Sequence, residues 1–330
     1  MSDRLRSGHE ALDTVLGGGL PGNAISLIMG LPGTGKTIIA QQYVFSTGRP
    51  GRPAVYFSTV SEPLAKIVRF AQGLDFFDEA AIGRSVLYED LGATLSSQGL
   101  AGASRQVTAV LEERQPGLIV IDSFKALHAF ADGYGDFRQF LRELAGRLTA
   151  YPASSLWLGE YTGSEVGSMP EFAVADAIVE LMTERVGQRE IRFLQVRKLR
   201  GSGFRSGRHA YRLGSGGARV FPRLADAPVT GDYDCGDVRV SSGVAALDDL
   251  LADGYWPGSS TLIAGPSGSG KTLMGLHFLF TGARAGEPGI LATLQENSTP
   301  AGADRGRLRV VIQRARRRGD VPLAGRHLHR

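Results

Sequence analysis

The 330-residue sequence predicts an α/β fold with a doubly wound, mostly parallel sheet, and three observations support that class. Apolar segments of strand length alternate with segments of helix length, which is the pattern of a parallel sheet covered on both faces. A glycine-rich stretch, Gly30 to Thr37, joins the first buried strand to the first long helix. A shift of 235 positions superposes residues 4–45 on residues 239–280 without a gap, which indicates a tandem repeat.

The glycine-rich stretch matches the pattern G-x-x-x-x-G-K-[ST] of a phosphate-binding loop. It follows the apolar segment 24–29 and precedes a predicted helix at 38–45, so the helix N-terminus faces the loop. Lys36 is expected to reach the β- and γ-phosphates, and the Thr37 hydroxyl is expected to bind Mg²⁺. The predicted phosphate-binding residues are Gly30, Pro32, Gly33, Thr34, Gly35, Lys36, Thr37 and Ile38.

A second chemical signal is the apolar segment 117–121, which ends at Asp122. A carboxylate at the end of a buried strand downstream of a phosphate-binding loop is typical of the Walker B motif. Such a carboxylate holds Mg²⁺ through water, on the side opposite the loop threonine. Asp122 is therefore the predicted metal-binding acid, together with Thr37.

Glu62 is the candidate for polarising the attacking water. It follows the predicted strand 54–60, and ligands bind at the carboxyl edge of an open parallel sheet. A structural role is the alternative, because residues 64–71 are predicted to be helical and Glu is favoured in a first helical turn. The sequence leaves both roles open.

The remaining elements complete one domain, assigned to residues 1–221. The last part of this domain changes to short alternating segments joined by glycine-rich turns, which predicts antiparallel hairpins closing the sheet. The predicted helices are 104–114 and 136–149, the predicted parallel strands are 154–159 and 172–182, and the predicted hairpin strands are 191–197, 209–213 and 219–221.

The second copy is predicted to be incomplete. After a linker at 222–238, residues 239–300 repeat a strand at Ser260–Ala264, a phosphate-binding loop and a strand at 290–294 that ends near Glu296, but no strand ending in Asp follows. Residues 301–330 are predicted to be an aberrant or disordered Arg-rich tail, as a truncated or frame-shifted terminus would produce. The second loop is expected to bind nucleotide at most, through Gly265, Gly268, Ser269, Gly270, Lys271, Thr272 and Leu273, with Thr272 as the metal ligand.

The basic character of the chain is confined to its end. The net charge is +4, but residues 301–330 hold nine Arg against two Asp, so the first 300 residues are slightly acidic. This distribution makes nucleic acid an unexpected partner. A polar N-terminus, the absence of a long apolar run and a lone Cys235 predict a soluble cytoplasmic protein with no membrane segment.

Together these motifs resemble the KaiC-type branch of the RecA-like P-loop ATPases, a family similar to the RadA recombinases. The resemblance covers residues 4–300 and rests on Ser7-Gly8-x-x-Ala-Leu-Asp13, both loops, Asp122-Ser123, Phe172-Ala-Val-Ala-Asp176 and Lys198-Leu-Arg-Gly201. It implies a RecA-like fold, ATP with Mg²⁺ as cofactors, and a hexameric homo-oligomeric ring with ATP between subunits.

The resemblance also implies a role for the segment from Lys198 to Ser202. In the family this segment reaches the neighbouring subunit's ATP, so Lys198, Leu199, Arg200 and Ser202 are predicted to bind nucleotide there. Lys198 and Arg200 would act as finger residues that stabilise the charge of the transition state. A basic strand facing solvent is the alternative.

One departure from the family concerns its paired glutamates. Ser61-Glu62 and Gln295-Glu296 keep only the second acid of each pair, so hydrolysis is expected to be slow if the first acid is needed.

The leading functional prediction is an ATP-hydrolysing, ring-forming regulatory ATPase with signalling proteins as partners. A serine/threonine autokinase is an alternative by resemblance, although the family's phosphorylated region is absent from the repeat. A DNA-dependent recombinase is disfavoured, because residues 129–137 and 161–171 contain acids and no Lys or Arg. A non-hydrolysing, ATP-stabilised assembly module is the third alternative.

Overall fold

The computed structural model describes residues 4–60, 62–224 and 236–291. The chain divides into two compact units, with the boundary between Pro228 and Val229. Cys235, Ser61, Glu296 and the Arg-rich segment 301–330 lie outside the described residues. The first unit contains the sheet, and the second contains a short repeat of its N-terminal part.

The first unit is built on a nine-stranded sheet in the order β11-β10-β9-β8-β3-β7-β6-β4-β5. The six strands from β8 to β5 are parallel, and β9, β10 and β11 extend the sheet in antiparallel fashion. A separate two-stranded ribbon pairs β1 with β2. The strands are β1 Arg4–Leu5, β2 Leu20–Pro21, β3 Ile25–Gly30, β4 Ala54–Ser58, β5 Val86–Asp90, β6 Leu118–Asp122, β7 Ser154–Gly159, β8 Ala177–Val186, β9 Arg189–Leu199, β10 Arg208–Gly214 and β11 Gly217–Phe221.

Helices cover both faces of this sheet, and each face has its own hydrophobic core. One core joins Leu12, Tyr43 and Ile67 of α1, α2 and α3 to one side of the strands. The other joins residues of α4 and α5 to the opposite side. The helices of this unit are α1 Glu10–Val15, α2 Lys36–Thr47, α3 Leu64–Ala71, α4 Gly92–Arg114, α5 Tyr134–Ala150 and α6 Glu171–Val174; the second unit contains α7 Ala245–Leu250 and α8 Lys271–Arg284.

The central strands are buried along their whole length. Every residue of β3, β4 and β7 is buried, because helices shield both faces and neighbouring strands flank each edge. This explains why these strands appear in the sequence as continuous apolar runs rather than alternating ones. The predicted class, an α/β fold with a mostly parallel sheet and terminal antiparallel hairpins, is confirmed.

Two predicted elements of this unit differ from the structure. The predicted strand 172–182 begins later, at Ala177, because Glu171–Val174 form a single helical turn before the chain enters the sheet. The predicted helix 104–114 is the second half of α4, which starts at Gly92 and is interrupted at Gly99, where φ is +62°. Residues 92–103 are rich in Gly, Ser and Thr, which have poor helix propensity, and burial of Leu95 and Leu100 outweighs it.

The second unit repeats the N-terminal contacts of the first. Arg4 Nη1 donates to Gly19 O over 3.3 Å, and Arg239 Nη1 donates to Gly254 O over 3.1 Å. Likewise the Ser7 N–H donates to Asp13 Oδ1, as the Ser242 N–H does to Asp248 Oδ1. Each pair of contacts is separated by the same 235 positions, so the repeat extends from sequence to hydrogen bonds.

The predicted strand Ser260–Ala264 is wrong for the described structure. These residues have no regular secondary structure, and all but Ile263 are exposed. A central parallel strand needs hydrogen-bonded neighbours on both sides, and the described part of this unit, residues 236–291, supplies none. Ile290 and Leu291 of the next predicted strand are also irregular, and the rest of that strand lies outside the described residues.

Within the described residues, no helix is both long and apolar enough to span a membrane.

Candidate nucleotide-binding site

The first glycine-rich stretch forms a compact loop between β3 and α2. Gly33 and Gly35 have φ values of +78° and +89°, which a residue with a side chain adopts only under strain. The Lys36 ammonium folds back over the loop and donates to Gly30 O at 2.8 Å and to Leu31 O at 3.1 Å. The lysine side chain is therefore held across the space that the loop encloses.

The loop presents backbone donors that no other part of the described chain uses. The N–H groups of Gly33, Gly35, Lys36 and Thr37 donate to no described backbone carbonyl or side chain. A helix N-terminus with free N–H groups and an adjacent ammonium is a binding site for an anion. The residues present therefore fit the phosphates of a nucleotide.

A buried strand end lies directly opposite Thr37. The Thr37 hydroxyl donates to Asp122 Oδ2 over 2.9 Å, and the Tyr56 hydroxyl donates to the same oxygen over 2.5 Å. Burial raises the pKa of the Asp122 carboxyl, while Tyr56, Thr37 and Lys36 act to lower it. One carboxylate and one hydroxyl fit Mg²⁺, which takes its remaining ligands from phosphate and water.

Tyr56 was not anticipated from the sequence. It lies in the middle of β4, and β4 pairs directly with β6, the strand that carries Asp122. Its apolar surroundings gave it the pattern of a core residue, and only the order of the strands brings its hydroxyl to Asp122. Burial and the nearby carboxylate raise the pKa of Tyr56, so it remains a hydrogen-bond donor.

Glu160 also lies close to the loop and was not singled out as a site residue. It follows β7, whose last residue Gly159 is paired with Met29 of β3. Burial lowers the pKa of Lys36, and the charges of Glu160 and Asp122 oppose that shift. The sequence shows a strand ending at this glutamate, but not that the strand is adjacent to the loop strand.

Glu62 takes part in an exposed ion pair with Lys66 one helical turn later, with Nζ and Oε1 2.6 Å apart. Its charge also raises the pKa of Asp122, the predicted metal-binding residue. This position is compatible with both roles considered for Glu62, the activation of water and the stabilisation of the first turn of α3.

Comparison with known proteins identifies the family. The family model described as ATPase: KaiC matches residues 5–225 and again residues 240–319. The chain belongs to the KaiC ATPase family. The first KaiC match covers the whole nine-stranded sheet, and the second covers the shorter repeat and continues beyond the described residues.

The curated relatives that match the chain are circadian clock oscillator proteins named KaiC. The chain is 29% identical over 304 residues to the circadian clock oscillator protein KaiC of Parathermosynechococcus lividus, covering 88% of this chain and 55% of that protein. It is 29% identical over 327 residues to the protein of the same name from Thermosynechococcus vestitus, covering 92% and 62%. The chain thus spans less than two thirds of the length of these KaiC relatives.

The Lys198 segment of this KaiC-family chain lies far from its own loop. The Arg200 N–H donates to Asp176 O, and the Asp176 N–H donates to Ile25 O, so Arg200 is level with the start of β3. Gly30 and the loop lie at the other end of β3, about 17 Å away at 3.3 Å per strand residue. Lys198 and Arg200 are therefore at the edge of the sheet opposite Lys36.

Both predicted finger residues have partners within their own chain. Lys198 Nζ donates to Phe172 O at 3.2 Å and to Ala173 O at 3.4 Å, and Arg200 pairs with Asp176 at 3.1 Å. Burial and the charge of Arg200 lower the pKa of Lys198. Leu199 is buried, and the Ser202 hydroxyl is buried with no partner in the described chain.

The second loop reproduces the backbone of the first. Gly268 and Gly270 have φ values of +82° and +85°, and Lys271 Nζ donates to Gly265 O and Pro266 O. Thr272 and Leu273 lie in the first turn of α8, as Thr37 and Ile38 lie in the first turn of α2. Among residues 236–291, however, no carboxylate lies opposite Thr272 as Asp122 lies opposite Thr37.

Proposed function

We propose that the chain is an ATP-hydrolysing regulatory ATPase whose sites are completed between copies of itself in a homo-oligomeric ring. The observation that carries the proposal is the division of the candidate machinery between two edges of one sheet. Lys36, Thr37 and Asp122 lie at one edge, and Lys198 and Arg200 lie at the other. A finger that acts on ATP therefore has to come from another subunit.

The proposed chemistry assigns a task to each residue. The free N–H groups of the loop and the Lys36 ammonium bind the phosphates of ATP and hold the γ-phosphoryl group in place. Thr37 and Asp122 hold Mg²⁺, which supplies positive charge to the phosphate oxygens when bound. Glu62 orients the attacking water, and Lys198 and Arg200 of a neighbouring copy stabilise the charge that develops during transfer.

The regulatory part of the proposal rests on the relatives. Their name describes circadian clock oscillator proteins, and this chain spans 55% to 62% of the length of the two compared above. We propose that the present chain assembles in an ATP-dependent manner and acts on signalling partners. Autokinase activity would use the same site. The same experiment detects it by measuring phosphate bound to the protein.

Mixing two inactive variants tests the proposal. Lys36→Ala removes the phosphate-binding ammonium, and Lys198→Ala removes the finger, so each variant alone should release phosphate from ATP more than about 100-fold more slowly than wild type. An equimolar mixture should regain about a quarter of the wild-type rate, because in a randomly mixed ring that fraction of all sites has both an intact loop and an intact neighbouring finger.

The controls separate the alternatives. Size measurement with and without ATP reports the assembly, and Lys66→Ala serves as an exposed lysine variant that should behave as wild type. A mixture as inactive as its components contradicts the shared site. Tight ATP binding by wild type with no phosphate release would favour the non-hydrolysing module, and strongly salt-dependent binding of single-stranded DNA would favour the recombinase.

A further inference from the structure

A buried carboxylate, Glu171, lies behind the finger lysine. Its side chain is fully buried, which is unusual for a glutamate and requires compensating hydrogen bonds. The Tyr161 hydroxyl donates to Glu171 Oε1 over 2.5 Å, and His128 Nε2 lies 3.0 Å from the same oxygen. The second carboxylate oxygen, Oε2, has no partner in the described chain. These contacts fix the first residue of α6 to two different elements.

The other side of α6 holds the finger. Glu171 begins this one-turn helix, and the next two residues supply the carbonyl oxygens that accept from Lys198 Nζ. A one-turn helix makes almost no stabilising hydrogen bonds of its own, so its position depends on its side chains. The Phe172 ring adds an edge-to-face contact with Tyr161, with centroids 5.0 Å apart. The position of the Lys198 ammonium therefore depends on the hydrogen bonds that Tyr161 and His128 make to Glu171.

We propose that Glu171, through Tyr161 and His128, is a positioning residue that sets the direction in which Lys198 is presented to the neighbouring subunit. The inference rests on the proposed function, because it requires that Lys198 serve the site of another copy. Among the described residues, the Glu171 side chain has Tyr161 and His128 as hydrogen-bond partners and makes no hydrogen bond to Lys36, Thr37 or Asp122. Its influence on hydrolysis should therefore appear only in the subunit that receives the finger.

The size of the effect follows from geometry. A displacement of a catalytic group by about 1 Å can cost on the order of 100-fold in rate. Glu171→Gln keeps the shape of the side chain but removes the charge that strengthens the hydrogen bonds from Tyr161 and His128. We expect α6 to lose its fixed position and Lys198 to lose its two carbonyl partners. Catalytic rate should fall, while ATP binding to the loop of the same chain should not.

The mixing experiment gives a test that a general loss of stability cannot imitate. Glu171→Gln is placed either in the Lys36→Ala chain, which donates its finger, or in the Lys198→Ala chain, which binds ATP. The proposal predicts that the first mixture loses at least tenfold of the recovered phosphate release and that the second keeps it within about twofold. Glu112→Gln is the control and should leave both mixtures unchanged, because Glu112 also accepts from a tyrosine hydroxyl, that of Tyr151, but makes no hydrogen bond to α6 or Lys198 among the described residues.

The outcomes distinguish the two proposals. If the parent mixture of Lys36→Ala and Lys198→Ala shows no recovery, the proposed function fails and the positioning role falls with it. If the parent mixture recovers and Glu171→Gln acts equally in both chains, only the positioning role is overturned. Tyr161→Phe removes the same hydrogen bond with a smaller change and should show the same asymmetry, so it replaces Glu171→Gln if that variant does not fold.

Discussion

The environment of Asp122 suits a carboxylate that binds a cation. Its carboxylate is largely buried, which disfavours its charged form, yet two hydroxyl groups donate to one of its oxygens and Lys36 adds positive charge. A buried anion is tolerated only when it is compensated in this way. The residue combines the cost of burial with a preformed set of donors, which is typical of functional sites.

Glu62 provides the sharpest test at the level of single residues. If it orients water, Glu62→Gln should lower kcat by about 100-fold or more and leave ATP binding largely unchanged. If it only stabilises the start of α3, its removal should be as mild as that of its ion-pair partner, because exposed pairs contribute less than about 1 kcal/mol. Steady-state phosphate release by Glu62→Gln and Lys66→Ala, measured side by side, decides between the roles. Equal and small effects would rule out catalysis by Glu62.

The candidate site residues that the sequence predicted belong to local motifs, whereas those it did not predict depend on the order of the strands in the sheet. Lys36, Thr37 and Asp122 belong to local patterns in which the spacing itself encodes the chemistry. Tyr56 and Glu160 reach the site only because β4 and β7 are inserted on either side of β6, an order that the sequence does not state. Strand order depends on the packing of the whole sheet, so such contributions become visible only in the structure.

Among the elements, β10 has a direct part in shaping the loop. The Tyr211 hydroxyl donates to Thr34 O over 2.5 Å, and a Cβ added to Gly35 would lie 2.7 Å from the Leu213 side chain. The antiparallel extension of the sheet therefore holds one side of the loop and also explains why Gly35 has no room for a side chain. The hairpin strand β10 therefore both extends the sheet and supports the phosphate-binding loop.

Removing the Tyr211 hydroxyl should weaken the loop without dismantling the domain. Tyr211→Phe loses one buried hydrogen bond, so the free energy of unfolding should fall by about 1 kcal/mol, and nucleotide affinity should fall severalfold because the freed Thr34 carbonyl no longer fixes the loop. Tyr88→Phe is the control, since its hydroxyl donates to Gln41 away from the loop. Urea unfolding together with calorimetric titration of ATP measures both quantities. An unchanged affinity in Tyr211→Phe would show that the loop holds its shape alone.

Whether a predicted helix or strand agrees with the structure depends on how strongly its own residues favour that conformation. α3 and β7 have the predicted bounds because Ile67 of α3 packs in one core and successive residues of β7 pack alternately in the two cores. The start of α4 and the turn of α6 were not predicted because their residues have weak intrinsic preferences, and their conformation is imposed by tertiary contacts. Glu171 illustrates this, since its buried hydrogen bonds decide the conformation of a segment with a strand-like sequence.

At the scale of the molecule, the two units have unequal candidate nucleotide sites. Both loops have the same backbone and the same lysine contacts, but only the first has a buried carboxylate opposite its threonine within the described residues. The sequence predicted this asymmetry from the absence of a second strand ending in Asp. What it did not predict is that the strand before the second loop is itself unformed.

Substitution in each loop should therefore have unequal effects. Lys271→Ala should leave the rate of phosphate release within about twofold of wild type, whereas Lys36→Ala should abolish it, because a phosphate cradle without a metal-binding acid cannot support transfer. Measuring both variants at saturating ATP, with filter binding to count bound nucleotides, checks the prediction. A loss of turnover in Lys271→Ala as large as that in Lys36→Ala would contradict the assignment of chemistry to the first loop.

The segment from Glu160 to Asp176 has a consequence for how such subunits would communicate. It starts near the chain's own Lys36, where Lys125 Nζ donates to Glu160 O and to Glu165 Oε1, and it ends beneath Lys198, which we propose serves the next copy. A change that ATP produces at its first residue would therefore move a group in the adjacent subunit's site. In the proposed ring, this segment would link each subunit's own loop to the site of its neighbour, so ATP binding in one subunit and hydrolysis in the next would be coupled.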